Sequence, residues 1–136
     1  MLRAAVIAIA VLASCTSSSD NLLESCQQDS DCSSGSTCSA IATCEPVRTV
    51  HVMWTVAGQP ASASTCSTGR DLDVSIENPD DPSNDLEYFP VPCAEGELTL
   101  LDMPSRFVDV AIARTDGVAA SGPLDGSGDA LLDLPQ

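Results

Sequence analysis

The chain has 136 residues, and its 20 acidic side chains against five basic ones give a formal net charge of −15. A surface this acidic repels nucleic-acid phosphate, which binding proteins meet with clusters of lysine and arginine. The composition therefore excludes a nucleic-acid-binding protein. Solubility is the plain interpretation of the charge, and cation binding is the sharper alternative.

The first 14 residues have the composition of an export signal. Met1-Leu2-Arg3 supplies one positive charge, and residues 4–13 follow without a polar side chain. Such a segment suits the core of a signal peptide, because a helix needs roughly 20 apolar residues to span a bilayer. Without its first 14 residues the chain keeps 122, which is enough for one compact domain with appendages but not for two sizeable domains.

The string Leu12-Ala13-Ser14-Cys15 resembles the lipobox of bacterial lipoproteins. That resemblance implies cleavage before Cys15, a diacylglycerol on its thiol and three acyl chains in all, and two or more chains anchor a protein stably. Thr16 stands where an aspartate often signals retention in the inner membrane, so the resemblance favours the outer membrane. The alternative is an ordinary secretory signal in which the string arose by chance.

A polar tether (residues 15–25) leads to a Cys-rich module (residues 26–45). Four cysteines recur there every six residues with almost no large apolar residue between them: Cys26, Cys32, Cys38 and Cys44. Such a stretch cannot bury a core, so its order depends on cross-links. With Cys66 and Cys93 the chain has six cysteines besides Cys15, an even number that indicates three disulfides in an oxidising compartment.

The connectivity within the module has three possibilities, of which we favour Cys26–Cys38 with Cys32–Cys44. A four-cysteine zinc site is the rival, although its spacing is wider than that of the usual zinc pairs. The segment from residue 26 to residue 38 is similar to small Cys-rich modules of extracellular proteins, on its Asp-x-Asp-Cys-x-x-Gly core.

From residue 46 onward the apolar residues alternate with polar ones, which is typical of half-buried strands. Turn-rich segments separate the runs, and we find no helical period. The sequence predicts an all-β protein, an antiparallel β-sandwich (residues 46–136) preceded by a small disulfide-rich module. The predicted strands lie at residues 50–56, 72–76, 89–93, 97–101, 108–112 and 130–134, and their even-numbered apolar residues form the predicted core. Antiparallel pairing of residues 71–77 with residues 87–93 also predicts a Cys66–Cys93 disulfide.

The order of Trp54, Gly58-x-Pro60, Cys66, Cys93 and Met103-Pro104 is similar to that of prealbumin-like domains, the transthyretin or carboxypeptidase-regulatory type of sandwich. The resemblance implies a binding or stalk module rather than an active site. One departure is Ser105-Arg106, which replaces the usual glycine after the proline.

The residues offer little for catalysis. His51 is the only histidine and is predicted to be a solvated strand residue on the face opposite Trp54. No Ser/His/Asp set and no phosphate-binding loop can be argued, so we expect no enzyme. Calcium is the best ligand hypothesis, because Asp80, Asp81 and Asp85 share one flexible loop that offers hard oxygen donors. Asp29 and Asp31 are a weaker second candidate, and a solvated acidic loop is the ordinary alternative.

The sequence thus predicts a lipid-anchored cell-envelope protein with a structural or binding role toward a protein or glycan partner. It predicts contact with the membrane through the lipid anchor. It predicts no nucleic-acid partner and no cofactor other than possible calcium. Two alternatives stay open: a protease inhibitor that acts through the Cys-rich module, and a calcium-binding envelope module.

Overall fold

The computed structural model describes residues 25–66, 71–114 and 117–136. Within these ranges no helix has both the length and the apolar character that crossing a membrane requires. Cys15 and the segments on either side of it, up to residue 24, lie outside the described residues. Signal cleavage and lipidation therefore stay predictions.

The described residues form strands and three single-turn 3-10 helices, without an α-helix, so the all-β prediction is confirmed. The strands are β1 (Ser36–Cys38), β2 (Cys44–Val56), β3 (Gln59–Pro60), β4 (Asp71–Glu77), β5 (Leu86–Pro92), β6 (Glu97–Pro104), β7 (Asp109–Arg114), β8 (Gly117–Pro123) and β9 (Asp129–Leu134). The 3-10 turns are Asp29–Asp31, Pro82–Asn84 and Cys93–Glu95.

Two sheets make up the sandwich. In the first sheet β2 is central, with β6 and β9 on its flanks and the short β1 and β3 paired with its two ends. The second sheet has the order β5-β4-β7-β8. Its β4 and β5 are antiparallel with Leu72 opposite Val91, which confirms the predicted pairing. One pair departs from the antiparallel expectation: β9 runs parallel to β2, because the chain returns to it from the second sheet by a crossover.

Alternate strand residues fill the core between the sheets. Trp54 is 2% exposed, and its Nε1 donates to the backbone carbonyl of Cys93 at 2.8 Å, which satisfies the indole donor inside the core. The inward residues of the two central strands are at most 4% exposed: Val50, Val52, Trp54 and Val56 from β2, and Leu72, Val74 and Ile76 from β4. The predicted core positions of these strands are therefore confirmed.

One expectation is wrong, and one long strand is absent from the prediction. Val108 was assigned to the core, but it is 38% exposed and lies before β7. A turn in which the Phe107 N–H donates to the Pro104 carbonyl buries Phe107 instead, at 1% exposure. The strand β8 was not predicted, because its glycine- and alanine-rich sequence carries no alternation of large apolar residues.

All three predicted disulfides are present: Cys26–Cys38, Cys32–Cys44 and Cys66–Cys93. The first two close the Cys-rich module, in which Cys26 is the one buried apolar residue. The module is not separated from the sandwich by a linker, since β2 starts at Cys44 and runs across the predicted boundary between residues 45 and 46. A shared strand fixes the direction in which the module extends from the first sheet.

Candidate binding surface

The outer face of the first sheet places exposed apolar side chains beside acidic ones. Alternation in β2 turns its inward valines to the core and its odd-numbered residues outward. The parallel register then joins three outward pairs across β2 and β9: His51 with Asp129, Met53 with Leu131, and Thr55 with Asp133. We refer to these six residues as the acidic face.

Met53 and Leu131 form the apolar centre of the acidic face. Leu131 is 70% exposed and Met53 is 37% exposed, and they are direct neighbours in the ladder. Single exposed apolar side chains are common on protein surfaces. Two large ones that adjoin on a rigid sheet between carboxylates are a small contact surface with a defined shape.

Hydrogen bonds hold the carboxylates of the acidic face in place. Asp133 accepts hydrogen bonds from the Thr55 hydroxyl at 2.6 Å and from the backbone N–H of Gly58 at 2.8 Å. These bonds favour the ionised form and lower the pKa of Asp133. The Ser127 hydroxyl lies 3.0 Å from the Asp129 carboxylate and shares its one proton between Asp129 and Asp125. Hydrogen bonds therefore hold the carboxylates at both ends of β9.

The loop before β9 is ordered by another aspartate. Asp125 accepts hydrogen bonds from the Ser127 hydroxyl and from the backbone N–H groups of Ser127, Gly128 and Asp129, at 2.6–3.0 Å. The Ser127 hydroxyl contributes most, and together the donors lower the pKa of Asp125 to about 2. This tight turn fixes the point at which β9 enters the sheet.

His51 lies on the acidic face as an exposed strand residue, opposite the side that buries Trp54, which confirms that expectation. Its Nδ1 is 3.0 Å from the Thr99 hydroxyl on β6, and Asp129 adjoins it on β9. The row Thr99–His51–Asp129 therefore orders a hydroxyl, an imidazole and a carboxylate. The row lies on an open strand face, where water competes for each of the three groups, and it carries no catalytic argument.

The predicted calcium ligands form a self-contained turn. The Asp81 carboxylate accepts from Ser83 and Asn84, and Asp85 accepts from the backbone N–H of Asn78 at 2.8 Å. The bonds from Ser83 and Asn84 lower the pKa of Asp81. Asp80, Asp81 and Asp85 are not among the residues whose ligand atoms converge within 4.8 Å in the described part of the chain. Calcium binding there stays a prediction.

Asp29 and Asp31, the weaker calcium candidates, hold the Cys-rich module together. Asp29 accepts from the Thr37 hydroxyl at 2.6 Å and from the Cys38 N–H at 2.9 Å, which lowers its pKa. Asp31 accepts from the backbone N–H groups of Gln27 and Gln28, with the same effect on its pKa. The two carboxylates thus link separate parts of a module that has no apolar core.

The sulfur atoms of Cys26, Cys32 and Cys44 lie within 4.8 Å of one another, close enough for a shared metal ion. All three belong to disulfides, however, and a disulfide sulfur is not the thiolate that zinc requires. The spacing reflects two disulfides stacked side by side.

A cleft of about 220 Å³ lies where the module meets the sandwich. Arg106 stands in it, paired with Glu45 and placed over the Phe107 ring, 4.8 Å from its centroid. The rim is the turn after β1, where Ile41 is 80% exposed. Arg106 is also where the sequence departs from the prealbumin pattern, and here it ties β2 to the segment after β6.

Sequence reasoning did not single out the acidic face. It placed Leu132 and Leu134 in the last strand but assigned no role to the outward residues of the motif Asp129-x-Leu131-x-Asp133. The alternation of a leucine between two aspartates was the available signal. The sequence pattern could not show that Met53 lies beside Leu131. The two residues are 78 positions apart and become neighbours only through the parallel pairing of β2 and β9.

A comparison with protein-family models finds no match to this chain, and the comparisons with curated proteins and with solved structures find none either.

Proposed function

We propose that this protein is a lipid-anchored, non-catalytic binding module of the bacterial cell envelope, which presents its β-sandwich to a protein or glycan partner. The observation that carries the proposal is the pair of exposed neighbours Met53 and Leu131 on the outer face of a rigid sheet. Such a pair adds nothing to the solubility of an acidic domain, whereas a partner that covers it removes apolar surface from water. Covering one leucine is worth about 1.5–3 kcal/mol.

The anchor in this proposal is Cys15. The other six cysteines are paired in disulfides, so Cys15 is the thiol that still needs an explanation. After cleavage before Cys15 the chain has four arginines against 20 acidic residues, a charge of −16 that anionic headgroups repel. An acyl anchor supplies the attachment that the domain's own charge opposes, and Thr16 favours the outer membrane.

The resemblance to prealbumin-like domains supports the same role. Those domains are binding or stalk modules, and the two-sheet architecture of this chain is compatible with them. The substitution of Ser105-Arg106 for the usual glycine gives this chain its own contact, since Arg106 pairs with Glu45. That contact braces the module against the sandwich, as a stalk requires.

Replacing Cys15 tests the anchor. We expect Cys15→Ala to move the protein out of the membrane fraction and to remove the acyl mass from the intact protein. Ser14→Ala is the matched control, since it keeps a small residue before the cysteine and should leave both readouts unchanged. Membrane association of the Cys15→Ala protein at the wild-type level, with no acyl mass on the wild type, would contradict the anchor.

Cross-linking in isolated envelopes tests the partner. We expect wild-type protein to recover a partner that Leu131→Ser loses. Leu86→Ser on β5 is the matched control, because it makes the same change at an exposed leucine of the other sheet. Recovery of no partner above background, or equal recovery by both variants, would speak against a binding role for the acidic face.

A second candidate is protease inhibition through the module. The turn Ser39–Ala42 presents Ile41, 80% exposed, between two cysteines that belong to different disulfides. Cross-links on both sides of the turn reduce the entropy that a bound loop loses. This candidate predicts inhibition of an exported protease that disappears on reduction and on Ile41→Asp. Inhibition that survives both changes would exclude the module as its source.

A further inference from the structure

The strand β9 is an edge of the first sheet. Among the described strands it pairs with β2 alone, and β8 packs across its inner side, where Gly122 faces Leu132. The His51 N–H donates to the Gly128 carbonyl and the Ala57 N–H to the Leu134 carbonyl, which sets the register of the parallel ladder. In a parallel ladder alternate residues of an edge strand bond the neighbour. The even-numbered residues of β9 therefore bond β2, and Leu131 and Asp133 direct their backbone groups away from it.

An outward row of backbone donors and acceptors is a template for another strand. Two other edges among the described strands are interrupted. The edge strand β5 contains Pro90 and Pro92, which have no N–H to offer. The ladder between β6 and β2 has an irregularity beside Leu101 and Asp102, and Asp102 adopts a positive φ of 54°. The strand β9 contains neither a proline nor a described irregularity in its pairing with β2.

The side chains of β9 decide what can pair with it. A second copy of this chain, added antiparallel about Leu131, sets Asp129 opposite Asp133 of the other copy at both ends. Like charges directly opposite each other destabilise a strand pair, so the edge is protected against self-association. The strand itself carries no basic residue, and the two arginines that reach the regions beyond its ends donate to the carbonyls of Asp125 and Pro135.

We propose that β9 accepts an added strand from a protein partner, an extended segment in which two basic side chains flank an apolar one at alternate positions. In that pairing the basic side chains lie beside Asp129 and Asp133, and the apolar side chain lies beside Leu131. Main-chain hydrogen bonds supply affinity, and the alternate side chains supply specificity. The inference rests on the proposed binding function and names the chemistry of the partner.

The test uses fluorescently labelled heptapeptides and the full-length protein in a non-ionic detergent, with binding followed by anisotropy. The basic probe has lysine at positions 2 and 6, valine at position 4 and threonine elsewhere, and the acidic probe has glutamate in place of lysine. We expect the basic probe alone to bind and to weaken as salt is raised. A basic probe N-methylated at the valine should not bind, because it lacks the central donor.

Variants locate the contact on β9. Asp129→Asn should weaken binding of the basic probe by about twofold to fivefold, as expected for a rim ion pair. Leu131→Pro should weaken it by about tenfold or more, because proline removes an outward donor without breaking the ladder to β2. The fluorescence of Trp54 reports whether proline disturbs the fold. If it does, Leu131→Ser serves as the second variant. Glu87→Gln on β5 is the charge-matched control and should leave binding unchanged.

Equal binding of the basic and acidic probes would overturn the proposal, as would full binding to the N-methylated probe or to folded Leu131→Pro protein. A dimer of the wild-type chain in sedimentation that Leu131→Pro abolishes would also overturn it, in favour of self-pairing. Failure of these probes leaves the cross-linking result on Leu131→Ser unaffected, so a wrong partner chemistry is distinguishable from a wrong function.

Discussion

The disulfide Cys66–Cys93 should dominate the stability of the sandwich. The change is the double variant Cys66→Ala/Cys93→Ala, which leaves no free thiol behind. The bond joins residues 27 apart, and closing a loop of that length removes about 3.5 kcal/mol of unfolded-state entropy. Both cysteines are buried, at 7% and 6% exposure, so the truncation also leaves a small cavity worth about 1 kcal/mol. We expect a loss of about 4–5 kcal/mol in the free energy of unfolding.

Trp54 makes this loss measurable. It is the only tryptophan, it is 2% exposed, and its indole donates to the Cys93 carbonyl. Urea unfolding followed by its fluorescence should give a lower midpoint in the variant, and the slope of the transition tests whether the unfolded state has also changed.

The matched control is Cys32→Ala/Cys44→Ala in the Cys-rich module. Its loop is shorter, with a separation of 12, and the same entropy argument assigns it about 3 kcal/mol. The core around Trp54 contains none of the four module cysteines, however. We therefore expect the Trp54 transition to shift by less than about 1 kcal/mol. Equal shifts in the two double variants would refute the reasoning, since module and sandwich would then unfold as one unit.

Three further predictions follow from local geometry. Gly128→Ala should lower the free energy of unfolding, measured by thermal unfolding, by about 3 kcal/mol or more, because Gly128 has a φ of +100° and a Cβ there meets a β2 carbonyl. The control is Gly126→Ala, which lies in open space and should change little. Glu77→Gln should raise the melting temperature at neutral pH, because burial and two neighbouring aspartates raise the pKa of Glu77 and so disfavour its charge; a lower melting temperature would contradict this. Hydrogen bonds lower the pKa of Asp125 to about 2, and the bond from the Ser127 hydroxyl has the largest effect. The stability that ionised Asp125 contributes is therefore present above the ordinary aspartate pKa and is lost as pH falls from about 4 toward 2. Acid unfolding followed by circular dichroism checks this. The Asp125→Ala variant should lose less stability than the wild type as pH falls.

The alternation in the sequence was sufficient for most of the fold. A strand that is buried on one face places apolar residues at every second position, so β2, β4, β6, β7 and β9 could be recognised from their own residues. Besides the short strands β1 and β3, two features escaped this reasoning. The strand β8 carries small residues, and the turn before β7 moves Phe107 into the core in place of Val108. In both cases long-range packing decides what local pattern does not record.

The expectation of three disulfides followed from equally local information, although the pairing within the module had three possibilities. A segment with evenly spaced cysteines and no core between them depends on cross-links, and antiparallel pairing of neighbouring strands brings Cys66 to Cys93. The aspartates were harder to interpret. Asp29 and Asp31 are typical calcium ligands by residue type, but in the structure they accept hydrogen bonds from the module's own Thr37, Cys38 and glutamine residues. A residue type defines what a side chain can bind, and the fold determines which donors reach it.

The sequence by itself therefore determined the class of fold, the presence of three cross-links and the acidic character of this protein, since these depend on composition and on local pattern. Which of the four module cysteines pair with each other was decided by the structure. Only the tertiary structure decided that β9 lies parallel to β2, that Leu131 lies beside Met53, and that Asp129 and Asp133 flank Leu131 on an edge strand. The physical reason is the crossover. Strand direction and strand neighbours depend on how the chain returns from the second sheet, and no residue of β9 carries that information.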